Sequence, residues 1–214
     1  MAVDPSRQQR SAPADEELIP RLCQGDAEAY VLFVRRYHGR LMRLARSFVA
    51  SQASAEEVVQ ETWLAVLQGI ERFEHRSSVK AWLFRILINR AKTRGQREGR
   101  TRLFADLTIE LPQEPDELLA QFAPNGHWLS PPAEWDHSTP ETQLMSQETT
   151  RVLEQAVRDL PPTPRAVILL RDIEGLDAEE VCQQLSLSEA NQRVILHRAR
   201  TAIRLAITKH MQKS

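Results

Sequence analysis

The sequence predicts an all-α chain: an N-terminal helical bundle and a C-terminal helix-turn-helix domain, joined by an acidic, Pro-rich linker. Three observations carry this. Apolar residues recur in steps of three and four through both ends of the chain, the spacing of one buried helix face. Alternating β-branched runs are few and only 7 glycines occur in 214 residues, which disfavours a sheet. The net charge of −1 conceals two basic blocks around an acidic one. A hydrophobic share of 42% suffices for packed cores, which disfavours wholesale disorder.

Element by element, a short helix with Leu18 and Leu22 comes first. Asp26 then caps a helix whose inward stripe is Tyr30, Phe33, Tyr37, Leu41, Leu44 and Phe48. Ser54 and Glu57 form a capping box for the next, with Val58, Val59, Thr62, Trp63, Val66, Leu67 and Ile70 inward. Ser78 opens a third long helix that buries Val79, Trp82, Leu83, Ile86 and Leu87. Toward the C-terminus, one helix carries Leu144, Leu153, Ala156, Val157 and Leu160 and stops at Pro161-Pro162. Thr163 caps another, with Pro164 at its first position, Val167, Leu170 and Ile173 inward, and Gly175 at its end. Asp177 and Glu180 make a capping box for a short helix through Val181 and Leu185. Ser188 then caps a long last helix through Val194, Leu196 and Ile203. The expected organisation is a flexible tail 1–15, a helical domain 16–102, a linker 103–140 and a helix-turn-helix domain 141–214.

Charge sorts the candidate surfaces. Arg72, Arg76, Lys80, Arg85, Arg90, Lys92, Arg94, Arg97, Arg100 and Arg102 are opposed locally only by Glu74 and Glu98. Phe73, Trp82 and Phe84 interleave with them, a mixture suited to opened DNA, where each stacked base contributes roughly 1–3 kcal/mol. Phe73 and Trp82 fit the core better, whereas Phe84 lies off the apolar stripe. From Leu103 to Glu148 no lysine or arginine occurs, while prolines and carboxylates accumulate. Phe122, Trp128 and Trp135 suggest that parts of this linker dock on something.

In a helix-turn-helix the second helix presents its N-terminal residues to base edges in the major groove. Those residues are Ser188, Glu189, Asn191, Gln192 and Arg193; Asn and Gln pair with adenine, Arg with guanine, Glu with cytosine. His197, Arg198, Arg200 and Arg204 follow, within reach of phosphates. Glu57, Gln60, Glu61 and Leu64 share one face of the second bundle helix, in isolation an ordinary solvated face.

Several classes are disfavoured. Cys23 and Cys182 belong to no CxxC pair, so a reducing compartment is expected and a cysteine-built zinc site is not. Cys182 reads as a small packing residue. No apolar run of spanning length and no signal-peptide pattern occurs, so a cytoplasmic protein without membrane insertion is expected. The six histidines are scattered, with no HExxH, no nucleophile elbow and no glycine-rich phosphate loop. His127 and His137 alone make a poor metal site. An enzyme, a cofactor and a small-molecule substrate are therefore not expected. A helix-turn-helix regulator with a sensing or dimerising bundle accounts for the C-terminal half. It leaves the basic AWLFRILINRAKTR segment and the acidic linker unexplained.

The segments GDAEAYVLFVRRYHGRLMRLARSFV, SAEEVVQETWLAVL, RSSVKAWLFRILINRAKTR and LPPTPRAVILLRDIEGLDAEEVCQQLSLSEANQRVILHRAR resemble the small bacterial sigma factors of the extracytoplasmic-function (ECF) type. The likeness runs from about Leu18 to Leu205. It implies a subunit that makes core RNA polymerase promoter-specific, with promoter DNA and an anti-sigma factor as further partners. By resemblance, the polymerase clamp would meet Glu57, Gln60, Glu61 and Leu64. The opened −10 element would lie on Arg72, Arg76, Lys80, Phe84, Arg85, Asn89, Lys92 and Arg94, with one base flipped into a pocket near the loop. The −35 duplex would be read by Ser188, Glu189, Asn191, Gln192, Arg193, His197, Arg198 and Arg200. The linker carboxylates would thread the polymerase cleft along a path meant for nucleic acid. Five positions depart from the family pattern: Val79 stands for an aromatic, Thr93 for an aspartate and Ser186 for a turn glycine. Val194 and Ile195 stand for polar residues in the recognition helix.

Overall fold

The computed structural model describes residues 13–74, 77–99 and 140–211. The tail 1–12, Arg76, the linker through residue 139 with its aromatics and histidines, and the Leu144 side chain lie outside the described residues. The described chain contains helices and turns and no strand, and it divides into two compact units, Met1–Gly99 and Arg100–Ser214.

The first unit holds α1 (Asp15–Cys23), α2 (Ala27–Ala45), α3 (Gln52–Gly69), a 3-10 turn (Ile70–Arg72) and α4 (Val79–Arg97). Asp26 caps α2 by accepting from the Glu28 and Ala29 N–H groups, and Ser78 caps α4 by accepting from Ala81 N–H at 3.0 Å. The predicted box at Ser54 is corrected. Ser51 is the cap of α3 and accepts from Ser54 N–H at 3.0 Å, so the helix begins about one turn earlier. Ser54 instead bonds its hydroxyl to that of Ser51.

Phe33, Tyr37, Leu41, Leu44 and Phe48 are buried, as the spacing predicts, and so are Val58, Val59, Thr62, Trp63 and Val66 of α3; α2 packs on α3, with Phe33 edge-on to Trp63 at 6.0 Å. Burying each large side chain of this set favours folding by about 1.5–3 kcal/mol. Leu67 is corrected: it faces solvent, 51% exposed. On α4 the buried set is Val79, Ala81, Leu83, Phe84, Leu87, Ile88 and Ala91, while Trp82 and Ile86 are only half-buried. The arc is wider than one stripe because α4 packs against both α2 and α3. Gly95 closes it. A Cβ there would stand 2.5 Å from the Phe48 carbonyl oxygen, so only glycine admits this approach.

The second unit holds α5 (Pro140–Asp159), α6 (Pro162–Ile168) running into a wide turn (Leu169–Ile173), α7 (Ala178–Leu185) and α8 (Glu189–Met211). Pro161, not Thr163, precedes α6, and Pro162 takes its first position; Thr163 is buried. Ile173 is exposed, and Gly175 at φ 68° ends the segment. The Asp177–Glu180 capping box is complete, with reciprocal bonds of 2.7 and 3.2 Å. Val157, Leu160, Val167, Leu170, Val181, Leu185, Ile195 and Leu196 form the core.

Candidate nucleic-acid interface

In the first unit, the chain leaves the 3-10 turn at Phe73 and re-enters helix at Ser78, and a cleft of about 510 Å³ opens beside this loop. Ser77 and Lys80 line one side of it, and Asp15, Glu16, Arg36 and Tyr37 another. The α1 wall is pinned to α2, because Arg36 bonds Asp15 and the Pro13 carbonyl while the Tyr37 hydroxyl donates to Asp15. Burial, then that bond to Asp15, pushes the Tyr37 phenol well above its ordinary range, so it stays a neutral donor. Arg40 lies 5.4 Å above the Tyr37 ring. Phe73 is buried and packs on Trp82 at 5.3 Å, and Val79 is buried beneath the loop.

The polar positions of α4 divide between two directions. Arg85 and Asn89 are exposed, and Lys92 continues their row half-buried, its ammonium pKa lowered by burial. Arg90 and Arg94 turn instead to α3: Arg90 lies 3.2 Å from Glu61, and Arg94 lies 2.7 Å from Glu57. Arg94 also binds Glu98 at 3.0 Å. The Glu98 carboxyl is held below the usual carboxylate range by the Ser54 hydroxyl, the Ala50 N–H and Arg94. Arg94, expected among the DNA contacts, is thus already engaged by two carboxylates.

Phe84 is corrected outright. It is fully buried and meets Tyr37 edge-on at 6.4 Å, so no base can stack on it. Lys80 is half-buried at the cleft and Arg72 is exposed; Arg76 lies outside the described residues.

Glu57, Gln60, Glu61 and Leu64 are all exposed on α3. Leu64 is 59% exposed and Leu67 follows one turn on, so two large apolar side chains stand together on an otherwise charged face. Sequence reasoning missed Leu67 because it borders the buried Trp63 and Val66 positions.

In the second unit, α7 ends at Ser186 in the left-handed region, φ 61° and ψ 43°, which is what the turn glycine of the family pattern would supply. Leu187 is buried and its N–H returns to the Cys182 carbonyl at 3.0 Å. Cys182 is itself buried, and that burial raises its thiol pKa. Ser188 then caps α8 by accepting from Asn191 N–H at 3.3 Å.

Glu189, Asn191 and Arg193 project to solvent from the first turns of α8, and Arg193 meets Glu189 at 3.1 Å in a surface pair. Such pairs contribute about 0–1 kcal/mol, little enough to open for a base or phosphate. Gln192 is corrected: at 2% exposure it belongs to the core, and its Nε2 has no bonding partner among the described residues. Arg200 is held by Asp172 through two bonds of 2.9 and 2.7 Å, which fixes its guanidinium against the wide turn. His197 and Arg198 are half-buried.

These features define an all-helical, two-unit protein with a helix-turn-helix in one unit and a basic helix in the other. Residues 33–101 match the family Sigma-70 region 2, and residues 150–203 match Sigma-70, region 4. The chain is 31% identical over 193 residues to the ECF RNA polymerase sigma-E factor of Haemophilus influenzae, spanning 88% of this chain and 93% of that protein. It is 29% identical over 193 residues to the RNA polymerase sigma-H factor of Pseudomonas aeruginosa, spanning 90% and 93%. The fold is also that of CnrH, solved in complex with the cytosolic domain of CnrY, at a TM-score of 0.51 and 21% identity, covering 92% of this chain and 99% of that one.

The chain belongs to the ECF family of RNA polymerase sigma factors. Sigma factors are DNA-binding initiation factors that work with core RNA polymerase on promoter DNA. Among the described residues no helix is long and apolar enough to cross a membrane.

Proposed function

We propose that this sigma factor, acting in the cytoplasm, holds an opened −10 element on its first unit and reads the −35 duplex with its second. The domain division is a tail 1–15, a polymerase and −10 domain 16–102, a linker 103–140 and a −35 domain 141–214. The outward row Arg85, Asn89 and Lys92 follows the −10 strand, with Arg72, Arg76 and Lys80 at its upstream loop. The cleft between that loop and α1 receives one flipped base, within reach of polar groups that can bond its edge. Core polymerase docks on Glu57, Gln60, Glu61 and Leu64, with Leu67 extending the apolar part. Ser188, Glu189, Asn191 and Arg193 face −35 base edges, while His197, Arg198 and Arg200 lie toward the backbone. The acidic linker threads the polymerase cleft, and an anti-sigma factor covers the polymerase-binding face.

The observation that carries this reading is the row on α4. Arg85 and Asn89 remain exposed although the neighbouring Arg90 and Arg94 find carboxylates. An exposed arginine and asparagine in line with a half-buried lysine suit a polyanion whose bases are unstacked.

Permanganate, which oxidises unstacked thymines, tests it on a promoter recovered by run-off transcription. With core polymerase and this chain, −10 thymines become reactive; Asn89→Ala and Arg85→Ala lower that reactivity while −35 protection persists. Unreactive −10 thymines in a complex that initiates would contradict the reading.

A further inference from the structure

The outward face of α8 carries an apolar side chain that core packing does not account for. Gln192, Ile195, Leu196 and Ala199 point inward, at 2%, 5%, 6% and 0% exposure. Ala190, Val194 and His197 recur at i, i+4 and i+7, the spacing of a single helix face. Ala190 is exposed and Val194 is 49% exposed, in the stretch where α8 presents Asn191 and Arg193 to solvent. A valine so placed adds little to folding.

It does match one feature of duplex DNA. In the major groove thymine alone presents a C5-methyl group, and apolar side chains such as alanine contact it. Valine is well suited, because in a helix its χ1 is held in essentially one rotamer, so its methyls are positioned without further ordering. Asn191 and Arg193 supply the polar contacts that fix the helix over the bases on either side. The geometry points to Ala190 and Val194 as an apolar strip that reads a thymine methyl in the −35 duplex, with Val194 the specificity-determining contact. This inference rests on the proposed −35 reading by α8 and adds the identity of one base to it.

Deoxyuridine scanning tests it, since uracil differs from thymine only by the missing methyl. The full-length chain and core polymerase select a promoter from a template library randomised through the −35 segment. Each −35 thymine, on both strands, is then replaced singly by deoxyuridine and run-off transcription is measured. At one position initiation falls about three- to fivefold, the loss of one buried methyl contact. With Val194→Ser that uracil penalty shrinks below about 1.5-fold, while the melting temperature is unchanged.

No penalty at any −35 thymine, or a penalty undiminished in Val194→Ser, overturns the inference and leaves the −35 assignment standing. The first of those results arises if Val194 faces a protein surface instead. Absence of any specific start site on unmodified DNA overturns the function proposed above and this inference with it.

Discussion

Arg94 on α4 reaches across to Glu57 on α3, guanidinium to carboxylate at 2.7 Å, and one turn earlier Arg90 meets Glu61 at 3.2 Å. The face proposed for polymerase and the helix proposed for DNA therefore share a seam of charge. Each partner is one-third to one-half exposed, so these pairs contribute little to stability and are free to open for a partner.

Glu61→Lys tests the α3 side of that seam. It places like charges beside Arg90 and reverses the face, and it should abolish assembly with core polymerase on a native gel. The melting temperature should fall by no more than a few degrees, since little folding energy resides in an exposed pair. A normal holoenzyme band would remove Glu61 from the polymerase-binding face.

Two glycines predict opposite outcomes. Gly39 lies mid-helix in α2 with open space where a Cβ would stand, so Gly39→Ala should stabilise the fold by about 0.8 kcal/mol. Gly95 would drive its Cβ into the Phe48 carbonyl, so Gly95→Ala should destabilise it by about 1–3 kcal/mol. Urea unfolding measures both, and equal effects would contradict the packing described for α4.

Ser186 occupies the left-handed region at the end of α7, a conformation that costs an L-residue about 1–2 kcal/mol. Ser186→Gly removes that cost but adds freedom to the unfolded chain, leaving a net gain of about 0.5–1 kcal/mol. A variant no more stable than the parent in urea would contradict the turn geometry.

Acid stability follows from Glu98. Its folded-state pKa is lowered, chiefly by the Ser54 hydroxyl and the Ala50 N–H, with Arg94 adding to them. Its contribution is thus complete above the unfolded glutamate value of about 4.3 and disappears as pH falls through the lower folded value. The thermal stability of Glu98→Gln should lie below that of the parent at neutral pH, and the two curves should converge in acid. Parallel curves would contradict it.

What could be read from the sequence was what is decided locally. Asp26, Ser78, Asp177 with Glu180, and Ser188 cap the helices they were expected to cap, because a side-chain oxygen needs only an N–H two or three residues on. Burial depends on how many neighbours a helix has. Phe84 is buried because α4 touches two helices, and Gln192 because α8 packs against α5, α6 and α7. A single stripe cannot foresee a second contact. Leu67 and Ile173 fail in the other direction, lying half exposed at helix edges. The Glu57–Arg94 and Glu61–Arg90 pairings depend on the register between α3 and α4, which periodicity leaves open.

Run-off transcription tests the central claim most directly, using core polymerase, this chain and a template library randomised separately in two upstream blocks. Two short sequence blocks at fixed separation should be enriched, with Asn191→Ala or Arg193→Ala relaxing one base position of the upstream block by about 1–3 kcal/mol and leaving the downstream block intact. Initiation without enrichment of either block, or a downstream block altered by those α8 substitutions, would contradict the account.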